Sequence, residues 1–208
     1  ALTAPRPPDL ALLDVRLPGI DGLEVLRQAR RHTDNPIVVI PARVEEVDRL
    51  TGPVIGHPKS ATFRTADVVG LDTLVNVAKG VHENCPKDER NDLFAIPDYL
   101  QKMVEKQMLG SKTGKGFYFK DRRSKKGEIL SLDLKTLAYK PQVKPKFATL
   151  DAAKKVDDLR ERTKLVYHGT DKAGEFYRRS FQAMFAYVSN RIPEISDELY
   201  RIDDGMRA

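Results

Sequence analysis

Residues 36–78 read PIVVIPARVEEVDRLTGPVIGHPKSATFRTADVVGLDTLVNVA, and the character of the chain changes within them, at residues 43–51. On the N-terminal side lies a β-branched run, Ile37-Val38-Val39-Ile40; on the C-terminal side a glycine- and proline-rich connection leads into helical spacing. A short apolar run bounded by turn residues reads as a buried strand, and apolar residues three and four apart read as a helix face. Composition changes at the same place. Residues 1–50 hold seven arginines and no lysine, whereas residues 51–208 hold eleven arginines and all eighteen lysines.

Upstream of the seam, Leu10-Ala11-Leu12-Leu13-Asp14-Val15 is an apolar run that delivers a carboxylate to a strand end. A turn follows at Leu17-Pro18-Gly19, and Asp21-Gly22 opens a helix with Leu23, Val25 and Leu26 on its apolar face. With Ile37–Ile40 as the next strand, the order strand–helix–strand calls for a parallel βαβ unit. The sequence PDLALLDVRLPGIDGLEVLRQAR, with NPIVVIPAR after it, resembles the middle of a response-regulator receiver domain. That resemblance implies Asp14 as phosphoacceptor. Receiver chemistry also needs an acidic pair for magnesium, a Ser or Thr where Pro41 stands, and a lysine on a later strand. Those groups have no counterpart here, so developing charge on a phosphoryl group has no stabiliser and no phosphotransfer is expected.

Downstream, Gly52, Gly56, Pro58 and Gly70 read as turn residues, with Asp67 and Asp72 as caps of the adjoining helical turns. Residues 97–109 place Tyr99, Leu100, Met103 and Val104 on one helical face that stops at Gly110. Phe117-Tyr118-Phe119 and Ile129-Leu130-Ser131-Leu132 read as a hairpin around a basic turn. Gly110-Ser111-Lys112-Thr113-Gly114-Lys115 is not a nucleotide-triphosphate loop: its glycine spacing is one short, no Ser or Thr follows Lys115, and a helix precedes it.

The blocks GPVIGHPKSATFRTADVVGLDT (52–73) and LGSKTGKGFYFK (109–120) resemble the C-terminal helical part of the 3-hydroxyacyl-CoA dehydrogenase family, in its large bacterial form. The resemblance runs over residues 44–208. Asn190-Arg191 and the stretch after it resemble the start of a second copy of the same domain. The family oxidises a 3-hydroxyacyl-CoA to the 3-ketoacyl-CoA with NAD as hydride acceptor, and serves fatty-acid β-oxidation. Its NAD domain carries GxGxxG after a strand and its base is a His–Glu dyad; neither motif occurs in these residues, so catalytic and cofactor-binding residues are none. The expected role is that of a fragment, inactive alone, contributing dimerisation and the acyl-CoA cleft.

The fold class expected is mainly α, a helical dehydrogenase C-terminal domain with a small β-hairpin, preceded by a partial βαβ segment. The domains read as 1–43 receiver-like, 44–138 an incomplete first copy, 139–150 a linker that includes the proline- and lysine-rich YKPQVKPKF, and 151–208 the helical start of a second copy. Acyl-CoA candidates are Lys59, Lys112 and Lys115, with Gly114 and Gly116 letting the backbone approach phosphates. Lys112 and Lys115 belong to a basic cluster with Lys120, Arg122, Arg123, Lys125 and Lys126, which reads more readily as a solvated hairpin tip than as a phosphate site. Phe181, Met184, Phe185, Val188, Ile192, Ile195, Leu199 and Ile202 trace an apolar helical face that packs across residues 62–80 or 97–109, or pairs with another chain. Expected partners are acyl-CoA and a homodimer mate or a separate Rossmann-domain chain.

Composition narrows the classes further. The net charge of +6 lies downstream of the seam, and no zinc-finger, stacked-aromatic or basic recognition-helix pattern accompanies it, so nucleic acid is not expected. No apolar run approaches the roughly 20 residues of a membrane span. The single cysteine, Cys85, rules out an internal disulfide and fits a cytoplasmic setting. His32, His57, His82 and His168 are scattered without ligand spacing, so no metal is expected. A signalling or interaction module using the N-terminal segment is the alternative from another class.

Overall fold

The computed structural model describes residues 11–14, 16–17, 20–21, 37–40, 43–121 and 127–205, with side chains from 43 onward. The chain divides into two compact units, Ala1–Gly52 with Pro58–Pro145, and Pro53–His57 with Lys146–Ala208. About half of it is helical, beside one three-stranded antiparallel sheet, the mainly α architecture that the sequence implies.

In the first unit, β1 (Ala11–Asp14) and β4 (Ile37–Ile40) pair in parallel, with Asp14 opposite Ile40. This is the pairing that two apolar runs separated by a helical pattern require. Between them β2 (Arg16–Leu17) and β3 (Ile20–Asp21) form a two-residue antiparallel ladder. Asp21 closes that ladder opposite Arg16. The helix expected from Gly22 onward, and Pro41, lie outside the described residues.

Four helices follow: α1 (Val44–Leu50), α2 (Phe63–Val69), α3 (Leu71–Asn84) and α4 (Asp98–Glu105). Leu71 and Val75, one turn apart on α3, meet Leu100 and Met103 of α4, and Val44, Met108, Phe117 and Leu132 complete the core. The face read from residues 97–109 is the one buried, with Tyr99 and Val104 at its margin. Each such aliphatic side chain contributes about 1.5–3 kcal/mol on burial, so a charge at the fully buried Met103 would open this core. Gly70 separates α2 from α3 at φ +102°, a conformation that favours glycine. Asp72 lies inside the first turn of α3, one residue past Leu71, and Gly70 holds the N-cap position.

The sheet runs β5 (Tyr118–Lys120), β6 (Ile129–Asp133) and β7 (Ala138–Pro141), in that order. The hairpin read from the sequence thus gains a third strand, formed by the first residues of the proline- and lysine-rich stretch. Pro141 sits at the end of an edge strand, where its missing N–H costs no ladder bond. Asp133 closes the β6–β7 turn by accepting from the N–H groups of Lys135 and Thr136, both at 3.1 Å.

The second unit contains a 3-10 turn (Pro53–Ile55) and helices α5 (Ala148–Ala153), α6 (Leu159–Tyr167), α7 (Lys172–Asn190) and α8 (Leu199–Gly205). Phe147, Leu150, Ala153, Val166, Ala173 and Tyr177 are its buried apolar residues. Asp158 caps α6 by accepting from Glu161 N at 2.9 Å. Asp171 caps α7 through Gly174 N at 3.1 Å and also accepts from Thr149 N and Oγ1 at 3.0 and 2.7 Å, tying α5 to α7. Arg162 Nε reaches Val54 O at 2.8 Å, which fastens the 3-10 turn to α6. The apolar face read as continuous from Phe181 to Ile202 is broken after Asn190: Pro193 lacks an N–H and cannot extend α7. Phe185 is 59 % exposed and Ile195 69 % exposed.

Candidate functional site

The loop that carries the candidates Lys112, Gly114, Lys115 and Gly116 is built around one buried carboxylate, Asp67. Asp67 is not a cap. It lies inside α2 and accepts from Phe117 N at 2.8 Å and Tyr118 N at 2.9 Å. Its own carbonyl accepts from Ser111 N at 2.7 Å. A Cβ at Gly110 would overlap the Asp67 backbone, and one at Gly116 would overlap its carboxylate. Both glycines are therefore required by close approach to a neighbouring helix.

A second carboxylate supports the first. Asp48, on α1, accepts from the N–H groups of Thr62, Phe63 and Arg64 at 3.1, 2.6 and 3.1 Å, covering the start of α2. Tyr118 donates its hydroxyl to Asp48 at 2.8 Å, and Tyr139 donates to Gly116 O at 2.8 Å. Sequence reasoning did not pick out Asp48, Tyr118 or Tyr139, because partners up to 70 positions apart leave no local periodicity. Burial raises the carboxyls of Asp48 and Asp67 above the ordinary carboxylate range, against the pull of the N–H donors. Burial, with the Asp48 charge behind it, pushes the Tyr118 phenol far up, so it stays a donor.

The remaining candidates separate. Lys112 Nζ lies 2.5 and 2.6 Å from the two Asp72 carboxylate oxygens, an ion pair that pins the loop to α3 and lowers the Asp72 carboxyl. Lys115 is exposed, its ammonium 5.8 Å from the Phe119 ring centre. Gly114, at φ +72°, has open space around it. Lys59 is exposed on the connection before α2. Asp14 ends β1, but its side chain lies outside the described residues, as do Arg122, Arg123, Lys125, Lys126 and His32. His82 faces Asn91 O at 3.1 Å, and His168 ends α6 beside the Tyr167 ring. Among the described residues no three His, Cys, Asp or Glu side chains converge as a metal site, and no helix is long and apolar enough to cross a membrane. The arrangement is a polar clasp holding an exposed turn, Gly114-Lys115, whose backbone and ammonium can meet an anion.

Residues 37–120 match the family model described as the 3-hydroxyacyl-CoA dehydrogenase, C-terminal domain. Over 165 residues the chain is 40% identical to a probable 3-hydroxyacyl-CoA dehydrogenase of Bacillus subtilis (strain 168), covering 79% of this chain and 20% of that protein. It is 45% identical over 80 residues to a protein of the same description from Deinococcus radiodurans, covering 38% and 22%. A short N-terminal stretch is 58% identical over 50 residues to the transcriptional regulatory protein BaeR of Escherichia coli, covering 24% and 21%. The chain thus spans about a fifth of the length of each of these relatives. No solved structure matches.

Proposed function

Because residues 37–120 carry the C-terminal domain of the 3-hydroxyacyl-CoA dehydrogenase family, we propose that this chain supplies the acyl-CoA side of such an enzyme in fatty-acid β-oxidation. The observation that carries the reading is the clasp on Asp67, which holds Gly114 and Lys115 outward on a rigid base. An ammonium on a braced loop attracts the phosphates of coenzyme A at little ordering cost, and Lys59 is a further exposed cation for them. Lys112 acts one step back, by fixing the loop to α3.

NAD is the family's hydride acceptor. Gly114 and Gly116 lead into β5, not into a helix N-terminus that could take a pyrophosphate, and Gly116 is filled by Asp67. These residues do not fit the dinucleotide, so no hydride-transfer step is assigned to them, and the chain alone is inactive on our reading. NAD and the catalytic dyad belong to the family's Rossmann domain, and a chain or segment that carries it is the partner this reading calls for. The exposed Met184, Phe185, Ile195 and Leu199 fit a homodimer contact. The reading is tested by titrating acetoacetyl-CoA at rising salt: affinity that falls with ionic strength agrees with Lys115-to-phosphate contact, and salt-independent affinity contradicts it.

A second reading is favoured by the similarity to BaeR and by the parallel β1–β4 pair, which ends at Asp14. It makes the N-terminal segment a signalling module. Incorporation of phosphate from acetyl phosphate, lost in Asp14→Asn, would support it; no incorporation would remove it.

A further inference from the structure

On the first unit, away from the clasp, α4 and the β6–β7 turn border an open cleft of about 410 Å3. Three ammonium groups line it, from Lys102, Lys106 and Lys135, against one carboxylate, Asp98. The lining therefore carries two net positive charges. Lys102 and Lys106 stand one helical turn apart, a spacing at which like charges repel. Asp98 is one turn before Lys102, yet the two form no ion pair. Among the described residues the ammonium groups of Lys102 and Lys106 have no hydrogen-bond or ion-pair partner, and neither does the Tyr99 hydroxyl. Asp133, the nearest acid in sequence to the turn, is spent on the turn itself: it holds two N–H groups and pairs with Lys140.

Part of the lining is apolar. Leu134, Leu137 and the ring of Tyr99 line the cleft, with Tyr99 braced edge-on by Phe117 at 6.5 Å. Thr136 adds a hydroxyl. The size falls in the range of small-molecule sites, roughly 300–1,000 Å3. The charge matches a phosphate monoester, a dianion above its second pKa of about 6, and Leu134, Leu137 and the Tyr99 ring can meet an apolar or aromatic body. We propose that this cleft between α4 and the β6–β7 turn binds a small phosphate monoester with an apolar body, its phosphate held by Lys102 and Lys106.

The test is calorimetric titration of the full 208-residue chain with phenyl phosphate at neutral pH and low salt, beside inorganic phosphate and phenol. Saturable binding of phenyl phosphate, stronger than of either half alone, is expected. The double substitution Lys102→Gln/Lys106→Gln should weaken it about tenfold or more for the charge-assisted bonds lost, with the melting temperature unchanged because both side chains are exposed. Lys115→Gln should leave it intact, which separates this site from the acyl-CoA turn. No saturable binding, equal affinity in the Lys102/Lys106 variant, or equal affinity for a polyglutamate peptide would each overturn the proposal, the last in favour of an acidic protein partner.

Discussion

Gly116 lies against Asp67 so closely that a Cβ at residue 116 would overlap the Asp67 Oδ1 that receives the Phe117 N–H. The glycine and the aspartate are thus one device: the first makes room for the second, and the second satisfies the strand that follows.

Gly116→Ala should therefore destabilise the first unit by about 1–3 kcal/mol, the usual cost of overpacking, and lower the melting temperature by roughly 2–4 °C for each kcal/mol. Gly114→Ala, also a turn glycine but in open space at φ +72°, should cost only the left-handed backbone penalty, about 1–2 kcal/mol. Thermal melts of both variants check the ranking. No loss of stability in Gly116→Ala would contradict the role of Gly116 in making room for Asp67.

Tyr139 gives the clasp an alkaline limit. Burial, with the Asp67 charge behind it, pushes its phenol from 10.0 up to about 12. A raised folded-state value means stability fully present below the unfolded pKa of 10.0 and lost as pH rises through about 12. Tyr139→Phe should lose that pH dependence and, by removing the bond to Gly116 O, cost about 1 kcal/mol near neutrality. Denaturant melts from neutral to alkaline pH make the comparison.

Asp171 is the corresponding anchor of the second unit. Burial raises its carboxyl, but bonds from Thr149 and Gly174 outweigh this and hold it below 3.8. Its contribution is present above 3.8 and lost as pH falls through the lowered folded value. Asp171→Ala should cost about 1–2 kcal/mol at neutral pH as a lost N-cap, with the gap closing on acidification. A gap that stayed constant in acid would contradict the assignment.

Phe185 tests the homodimer. Sedimentation of the wild type should show self-association that Phe185→Glu abolishes without loss of helicity, since the ring is 59 % exposed within one chain. A wild type that is monomeric at all concentrations would contradict it.

What the sequence made legible was local. The β-branched run at Ile37–Ile40, the apolar face of α4 and the hairpin strands announce themselves by periods of two and 3.6. Asp67 and Asp72 were readable as polar residues near helix ends, yet their partners, Phe117 and Lys112, lie 50 and 40 positions away. Only the folded chain reveals that these carboxylates brace a loop. The break after Asn190 was signalled by Pro193 but masked by the apolar spacing that continues past it.

The most direct measurement is calorimetric titration of the chain with acetoacetyl-CoA at low salt, for the wild type and for Lys115→Gln. The account predicts saturable binding that weakens severalfold in the variant while Lys102→Gln/Lys106→Gln leaves it unchanged. No heat of binding, or wild-type affinity in Lys115→Gln, would contradict the claim that this segment presents an acyl-CoA surface.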